Sequence, residues 1–328
     1  MVTGDQSFMD AYGYELLMDT AKFWTSRLEF SEEDGKYHIN DVVGPDEYKE
    51  HVDDNAFTNY MAYWNIKKAI EYYQLLKNEK ADLFEKLNHK LALQQAHPLW
   101  KERVDKIYLP VPREMDLVMP QDKNYLSLKD IDLTKYKKQT QVGSMFLDYN
   151  LEQVNKMQVS KQADIMVLFF LMEDMFSLEV KKANWNYYEP RTLHDSSLSL
   201  STHCILANDM GDDQMAYDLF RRASRIDLGP NMKSSDDGIH AASIGGIWQS
   251  VVYGFGGVRM LNGKLRIEPK LPKAWKSLQF TICWQGETLK VTVEKEKFRI
   301  VNLSKKKELQ INVYGKSYIF TDTIEIDL

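Results

Sequence analysis

The chain has 328 residues, 44% of them hydrophobic and 27% charged, with a net charge of -6 and a pI near 5.7. This is the make-up of an ordinary globular protein of about two domains, and it excludes disordered, collagen-like and disulfide-stapled classes. So mild an acidic excess gives no footing for nucleic acid or an anionic membrane as partner. Cys204 and Cys283 are the only cysteines, which rules out a disulfide framework or thiolate metal cluster and makes a cytoplasmic setting the expectation. Residues 1–30 carry Asp5, Asp10, Glu15 and Asp19 and lack the unbroken apolar run of a signal peptide. The longest strongly apolar run, Ile165 to Met172, is too short to cross a bilayer core.

Apolar residues recur at helical spacing over 10–30, 56–76, 81–93, 162–172, 197–207, 214–224 and 240–253. Asp212 and Asp213 place acids where the positive end of a helix dipole would lie, so a helix is expected to start there. Between Pro110 and Val142 runs a long segment of low periodicity, expected to be functional or ordered by its neighbours. After Gly254-Phe255-Gly256-Gly257 the period drops to two. Leu278, Phe280, Ile282 and Trp284 alternate, then Leu289, Val291 and Val293, then Phe298 and Ile300, then Leu309, Ile311 and Val313. Alternation of this kind predicts an antiparallel sheet or sandwich. The fold class is thus α then β, with a helical domain over 1–257 and a β domain over 258–328.

Three clusters carry candidate chemistry. In Val43-Gly44-Pro45-Asp46-Glu47-Tyr48, the Gly-Pro break puts two acids on a loop ahead of a helix. Such a loop suits a general acid, whose proton is retained near neutral pH by apolar surroundings; it also suits acids that cap the next helix. Arg191-Thr192-Leu193-His194-Asp195-Ser196-Ser197 precedes a helical run, where hydroxyls can cap the helix or join backbone amides in holding an anion. Asp236-Asp237-Gly238-Ile239-His240-Ala241-Ala242-Ser243 opens another helix, and its small residues allow close approach of a ligand or a neighbouring helix. Lys161-Gln162-Ala163-Asp164 starts the most apolar helix, with a lysine at the end where the dipole disfavours it. Asp53-Asp54-Asn55 lacks the spacing of a calcium loop, no zinc motif is present, and no metal is expected.

Together with Val52-Asp53-Asp54-Asn55-Ala56-Phe57-Thr58-Asn59-Tyr60, these clusters resemble, in order, those of glycoside hydrolase family 65, the inverting disaccharide phosphorylases. The resemblance implies a partial (α/α)6 barrel followed by a small C-terminal antiparallel β-sandwich. It implies that Glu47 is the general acid, protonating the glycosidic oxygen while inorganic phosphate attacks the anomeric carbon from the opposite face. Phosphate is itself the nucleophile, so the second carboxylate that an inverting hydrolase needs is dispensable. By the same resemblance, His194, Ser196, Ser197, His240 and Ser243 bind phosphate, Lys161 and Gln162 contact the sugar, and Asp46 and Tyr48, counted with the substrate-binding residues, shape the acid's environment. No cofactor is implied, and the partners are a disaccharide and phosphate, with the full-length form a homodimer. The run Lys49-Glu50-His51 leans toward maltose; kojibiose, nigerose and trehalose phosphorylases, an inverting α-glucoside hydrolase and an inactive remnant stay open.

Members of the family are more than twice as long as this chain. The resemblance therefore implies the C-terminal part of a longer enzyme, whose N-terminal half is required for activity.

Overall fold

The computed structural model describes residues 2–139, 142–228 and 238–328. Asp236 and Asp237, read above as part of a helix opening, lie outside the described residues. Helices fill the first part and strands the second. Tyr14–Arg27 buries Tyr14, Met18, Ala21 and Thr25, one stripe of a 3.6-residue period. It packs in one core with Ala62, Ile66, Ala69, Tyr73 and Leu76 of the Ala56–Glu79 helix. That second helix starts where Asn55 accepts a hydrogen bond from the Thr58 amide at 3.0 Å. The expected start at Asp212 is found too: its carboxylate takes the Met215 amide at 3.0 Å and opens Asp213–Ala223.

Among the described residues, two helices of 11 residues each escape the periodic reading, Leu93–Arg103 and Leu178–Tyr188, besides shorter turns. The first carries Pro98 inside it, and the second is too polar along its length to show a stripe. The long segment after Pro110 is ordered by its neighbours. Asn184 accepts the Met119 amide at 2.8 Å, Gln121 donates to Asp46 at 2.9 Å, and Tyr125 and Ser160 share a hydrogen bond of 3.1 Å. No helix among the described residues is long and apolar enough to cross a membrane.

A hairpin of β1 (Glu29–Ser31) and β2 (Lys36–His38) lies within the helical part, and the β domain stacks two four-stranded sheets. One runs β10 (Thr323–Asp327), β7 (Lys297–Asn302), β6 (Glu287–Glu294), β5 (Ser277–Trp284). The other runs β3 (Val258–Leu261), β4 (Lys264–Ile267), β8 (Leu309–Val313), β9 (Lys316–Phe320). The alternating residues named above are the buried ones in every one of these strands from β5 to β8. The purely antiparallel expectation needs one correction, because β4 and β8 pair in parallel. Parallel neighbours need a crossover, and here the chain builds β5 to β7 of the opposite sheet between them. The domains are fastened by Arg259, a buried cation that pairs with Glu173 at 2.7 Å and Asp209 at 2.7 Å; Arg266 also pairs with Glu173.

Two helices position the site. Gly246 leaves no room for a Cβ against the Ser201 hydroxyl, and Gly254 packs on Ile205 and Asn208. Both offsets run the same way along the chain. The Ala241–Gln249 helix and its continuation therefore lie parallel to Ser199–Met210, and their N-termini share one end of the molecule.

Candidate functional site

Glu47 sits on the loop before the Ala56–Glu79 helix, with its side chain 65% exposed. The apolar setting expected for it is absent. Lys161 instead reaches it, with Nζ 2.5 Å from Oε2. A carboxylate held this way must exchange its lysine partner for substrate before it can work as an acid. Glu47, Lys161, Tyr48, Phe146 and Val43 line an open cleft of about 440 Å³.

The loop is fixed from beneath. Asp46 is 0% exposed and lies beneath the loop, where it shapes the setting of Glu47. Its oxygens accept the Lys161 amide at 2.8 Å and the Gln121 side chain at 2.9 Å. The Asp46 amide in turn donates to buried Asp164 at 2.6 Å, and Asn55 donates to the other Asp164 oxygen at 2.5 Å. Burial raises both carboxyls; for Asp164 the adjacent Asp46 charge adds to the rise, whereas nearby Lys49 opposes it for Asp46. Asp46 and Asp164 therefore build the loop rather than bind its ligand.

Tyr48, beside the acid, ties the loop to a second element. Its ring is buried and its hydroxyl is spent on Asp195 at 2.6 Å, so that hydroxyl is not offered to a sugar. Burial, then Asp195, pushes the phenol far up, which keeps it a donor. The bond ties the Glu47 loop directly to the His194-Asp195-Ser196-Ser197 turn. Gln162 donates to the Pro45 carbonyl at 2.6 Å and secures the same loop. Ser160 adds a main-chain bridge to Arg191 and Leu193, with both bonds at 2.9 Å.

The starts of the Ser199–Met210 and Ala241–Gln249 helices occupy the shared end. Ser196 and Ser197 are half-buried; the Ser196 hydroxyl accepts the Leu198 amide at 3.2 Å just ahead of the Ser199–Met210 helix. Ser243 is buried, with its hydroxyl unpartnered in the structure, and His240 stands just ahead of the Ala241–Gln249 helix. His194 differs from expectation. One of its ring nitrogens lies 2.9 Å from the Ser199 hydroxyl and the other 3.1 Å from Glu189. With both nitrogens engaged, its ring has none left for phosphate and instead braces the turn.

Glu189 and His203 were not visible in the sequence. Glu189 binds His194 with one oxygen and His203 with the other, and all three lie against a cavity of about 470 Å³ or just behind it. Their ligand atoms fall within 4.8 Å of one another, a spacing that these two hydrogen bonds explain without an ion. The two imidazoles hold the Glu189 carboxyl well below its usual range against the opposing effect of burial. Burial pulls His194 down to about 4, against Glu189.

The sign follows from that depressed value. Unfolded, the histidine gains its proton near pH 6.5; folded, only near 4. Stability is therefore complete above about pH 6.5 and is lost as pH falls toward 4. Urea midpoints should drop across this window, and His194→Asn should flatten the drop; an equal drop in both proteins would remove His194 as its source.

Comparison with known proteins matches residues 1–249 to the glycosyl hydrolase family 65 central catalytic domain and residues 258–320 to the family's C-terminal domain. The chain is 45% identical over 309 residues to a kojibiose phosphorylase of Halothermothrix orenii, covering 94% of this chain and 39% of that protein. A maltose phosphorylase of Bacillus subtilis is 31% identical over 328 residues, covering 98% of this chain and 41% of that protein. A solved structure described as a kojibiose phosphorylase candidate from human microbiome superposes with a TM-score of 0.88 at 32% identity, over 100% of this chain and 44% of that one. The chain thus spans about two fifths of the length of the curated relatives it matches. On these matches the chain belongs to glycosyl hydrolase family 65.

Proposed function

We propose that this chain carries the acid and the phosphate subsite of an inverting α-glucoside phosphorylase, with kojibiose as its disaccharide. The observation that carries the reading is the Tyr48–Asp195 hydrogen bond, which joins the Glu47 cleft to the paired helix starts. A proton donor and an anion site on opposite sides of a bound sugar are what phosphorolysis with inversion requires. Glu47 gives its proton to the glycosidic oxygen as the bond to the anomeric carbon breaks. A phosphate oxygen attacks that carbon from the other face, yielding β-glucose 1-phosphate and glucose. Ser196, Ser197, His240, Ser243 and the free amides of two helix starts hold the phosphate. Lys161, released from Glu47, turns to a sugar hydroxyl, and Gln162 keeps the loop in place. The products need no redox group, and no cofactor is invoked.

Kojibiose is preferred to maltose for two reasons. The kojibiose-named relative is 45% identical and the maltose-named one 31%. The leaning drawn from Lys49-Glu50-His51 also loses its first residue. Lys49 is 1% exposed and donates to the carbonyls of Val154 at 2.8 Å and Met157 at 2.6 Å, so it cannot read an acceptor sugar.

Activity is assigned to the assembled phosphorylase rather than to these residues alone. Phe8, Tyr12, Leu16 and Phe23 form an exposed apolar stripe, the kind of face that calls for a covering surface. Unpaired Cys204 and Cys283 suit the reducing cytoplasm as its location.

The test is a phosphorolysis panel over kojibiose, nigerose, maltose and trehalose, run on the chain joined to the remainder of the Halothermothrix orenii relative. Kojibiose should give the highest kcat/KM. A maltose preference would overturn the substrate assignment. Glucose release that ignores phosphate would make the protein a hydrolase.

A further inference from the structure

Asp227 lies in the Ile226–Leu228 turn after the Asp213–Ala223 helix, and no sequence pattern singles it out. Its two carboxylate oxygens take hold of one residue. Oδ2 accepts the backbone N–H of His240 at 3.0 Å, and Oδ1 lies 2.7 Å from His240 Nδ1. An ionised carboxylate only accepts, so Nδ1 must carry a proton. His240 Nε2 has no protein partner among the described residues, and the ring is about one third exposed. Of the other histidines near the site, His194 has both nitrogens occupied within the protein, and the unengaged Nε2 of His203 is fully buried, out of reach of a ligand. His240 is therefore the imidazole that still has a nitrogen to offer a ligand.

We propose that Asp227 is a positioning residue of the phosphate subsite, holding His240 in the Nδ1–H tautomer with Nε2 turned to the phosphate. This rests on the phosphate reading given above. The grip on both the main chain and the ring of His240 fixes the side chain at the first turn of the Ala241–Gln249 helix. That helix start lies at the same end as Ser196 and Ser197. When phosphate binds, the ring bridges two acceptors, the Asp227 carboxylate and a phosphate oxygen. It then carries a proton on each nitrogen, and the Nε2–H bond to phosphate is charge-assisted. No bond is made or broken by Asp227, and its effect on the phosphate is exerted through His240.

Asp227→Asn separates this role from simple bracing of the turn. An asparagine oxygen can accept from the His240 amide or from Nδ1, but its –NH₂ must face the other, and facing Nδ1 it forces that nitrogen to accept. The ring proton then moves to Nε2. The ¹⁵N spectrum of the His240 ring, recorded on the chain without ligand, should show a protonated Nδ1 in the parent and the inverted pattern in the variant.

Inorganic phosphate affinity, measured by calorimetry, should fall about 10-fold in D227N, because a neutral Nε2–H replaces the charge-assisted one. D227E should recover part of that loss. In a His240→Gln background, D227N should cost nothing further. An unchanged ring pattern with unchanged affinity overturns the proposal, as does a full D227N loss that persists in the His240→Gln background. A parent chain that shows the predicted tautomer yet takes up no phosphate overturns the phosphate subsite, and with it the ligand half of this proposal, while the ring spectrum still stands for the Asp227–His240 pair. Circular dichroism of each variant identifies any that fails to fold, and D227E then stands in for D227N.

Discussion

Glu47→Gln should lower kcat for phosphorolysis about 10²- to 10⁴-fold, the usual contribution of a positioned general acid. Glutamine keeps the shape of the side chain, and its oxygen can still accept from Lys161, which now pairs with Glu47 at 2.5 Å. Only the transferable proton is lost. The loss should therefore depend on the leaving group. A sugar that leaves as an alkoxide needs protonation, whereas fluoride does not. With α-glucosyl fluoride and phosphate, the variant should retain most of the parent rate. Equal losses on kojibiose and on the fluoride would remove Glu47 from the acid role and make it a binding residue.

Gly44→Ala should come next in size, although Gly44 touches no ligand. An added Cβ would overlap Asp164 Oδ2 and stand 2.5 Å from Asn55 Nδ2. Neither atom can retreat freely, since both belong to the buried pair that takes the Asp46 amide and caps the Ala56–Glu79 helix. Overpacking of this kind costs about 1–3 kcal/mol of stability. The larger consequence is geometric. The loop must lift, and Glu47 is three residues along it. A displacement of about 1 Å at a reacting group can cost about 100-fold in rate. Urea unfolding and kcat measured side by side check both parts. A variant with parental kcat would show that the Asp46–Asp164 network does not set the position of Glu47.

The β domain was legible because each strand buries alternate side chains, and Leu278, Phe280, Ile282 and Trp284 display that period directly. The order of strands was not, since the β4–β8 pairing joins Leu265 to Ile311 across a separation that no local pattern reports. Helices with an apolar stripe or an acidic cap were readable, as at Asp212; Leu93–Arg103, interrupted by Pro98, was not. In the site, the loop and turn residues were found from their motifs, but their division of labour was not. Asp46 and Glu47 look alike as neighbours in sequence. Only the burial of one against Asp164, 118 residues away, separates a structural acid from an exposed one. Glu189 and Asp227 were missed for a related reason. A carboxylate that orients a histidine acts through a contact, and neither the Tyr188-Glu189-Pro190 turn nor the Ile226-Asp227-Leu228 turn marks that contact in the sequence.

The central claim is that the Glu47 cleft and the paired helix starts perform phosphorolysis with inversion. Proton NMR of kojibiose and phosphate, added to the chain joined to the remainder of the Halothermothrix orenii relative, tests it most directly. The expected products are β-glucose 1-phosphate and glucose in equal amounts, with no turnover when phosphate is left out. The α anomer of the phosphate ester, or glucose formed at the same rate without phosphate, would contradict it.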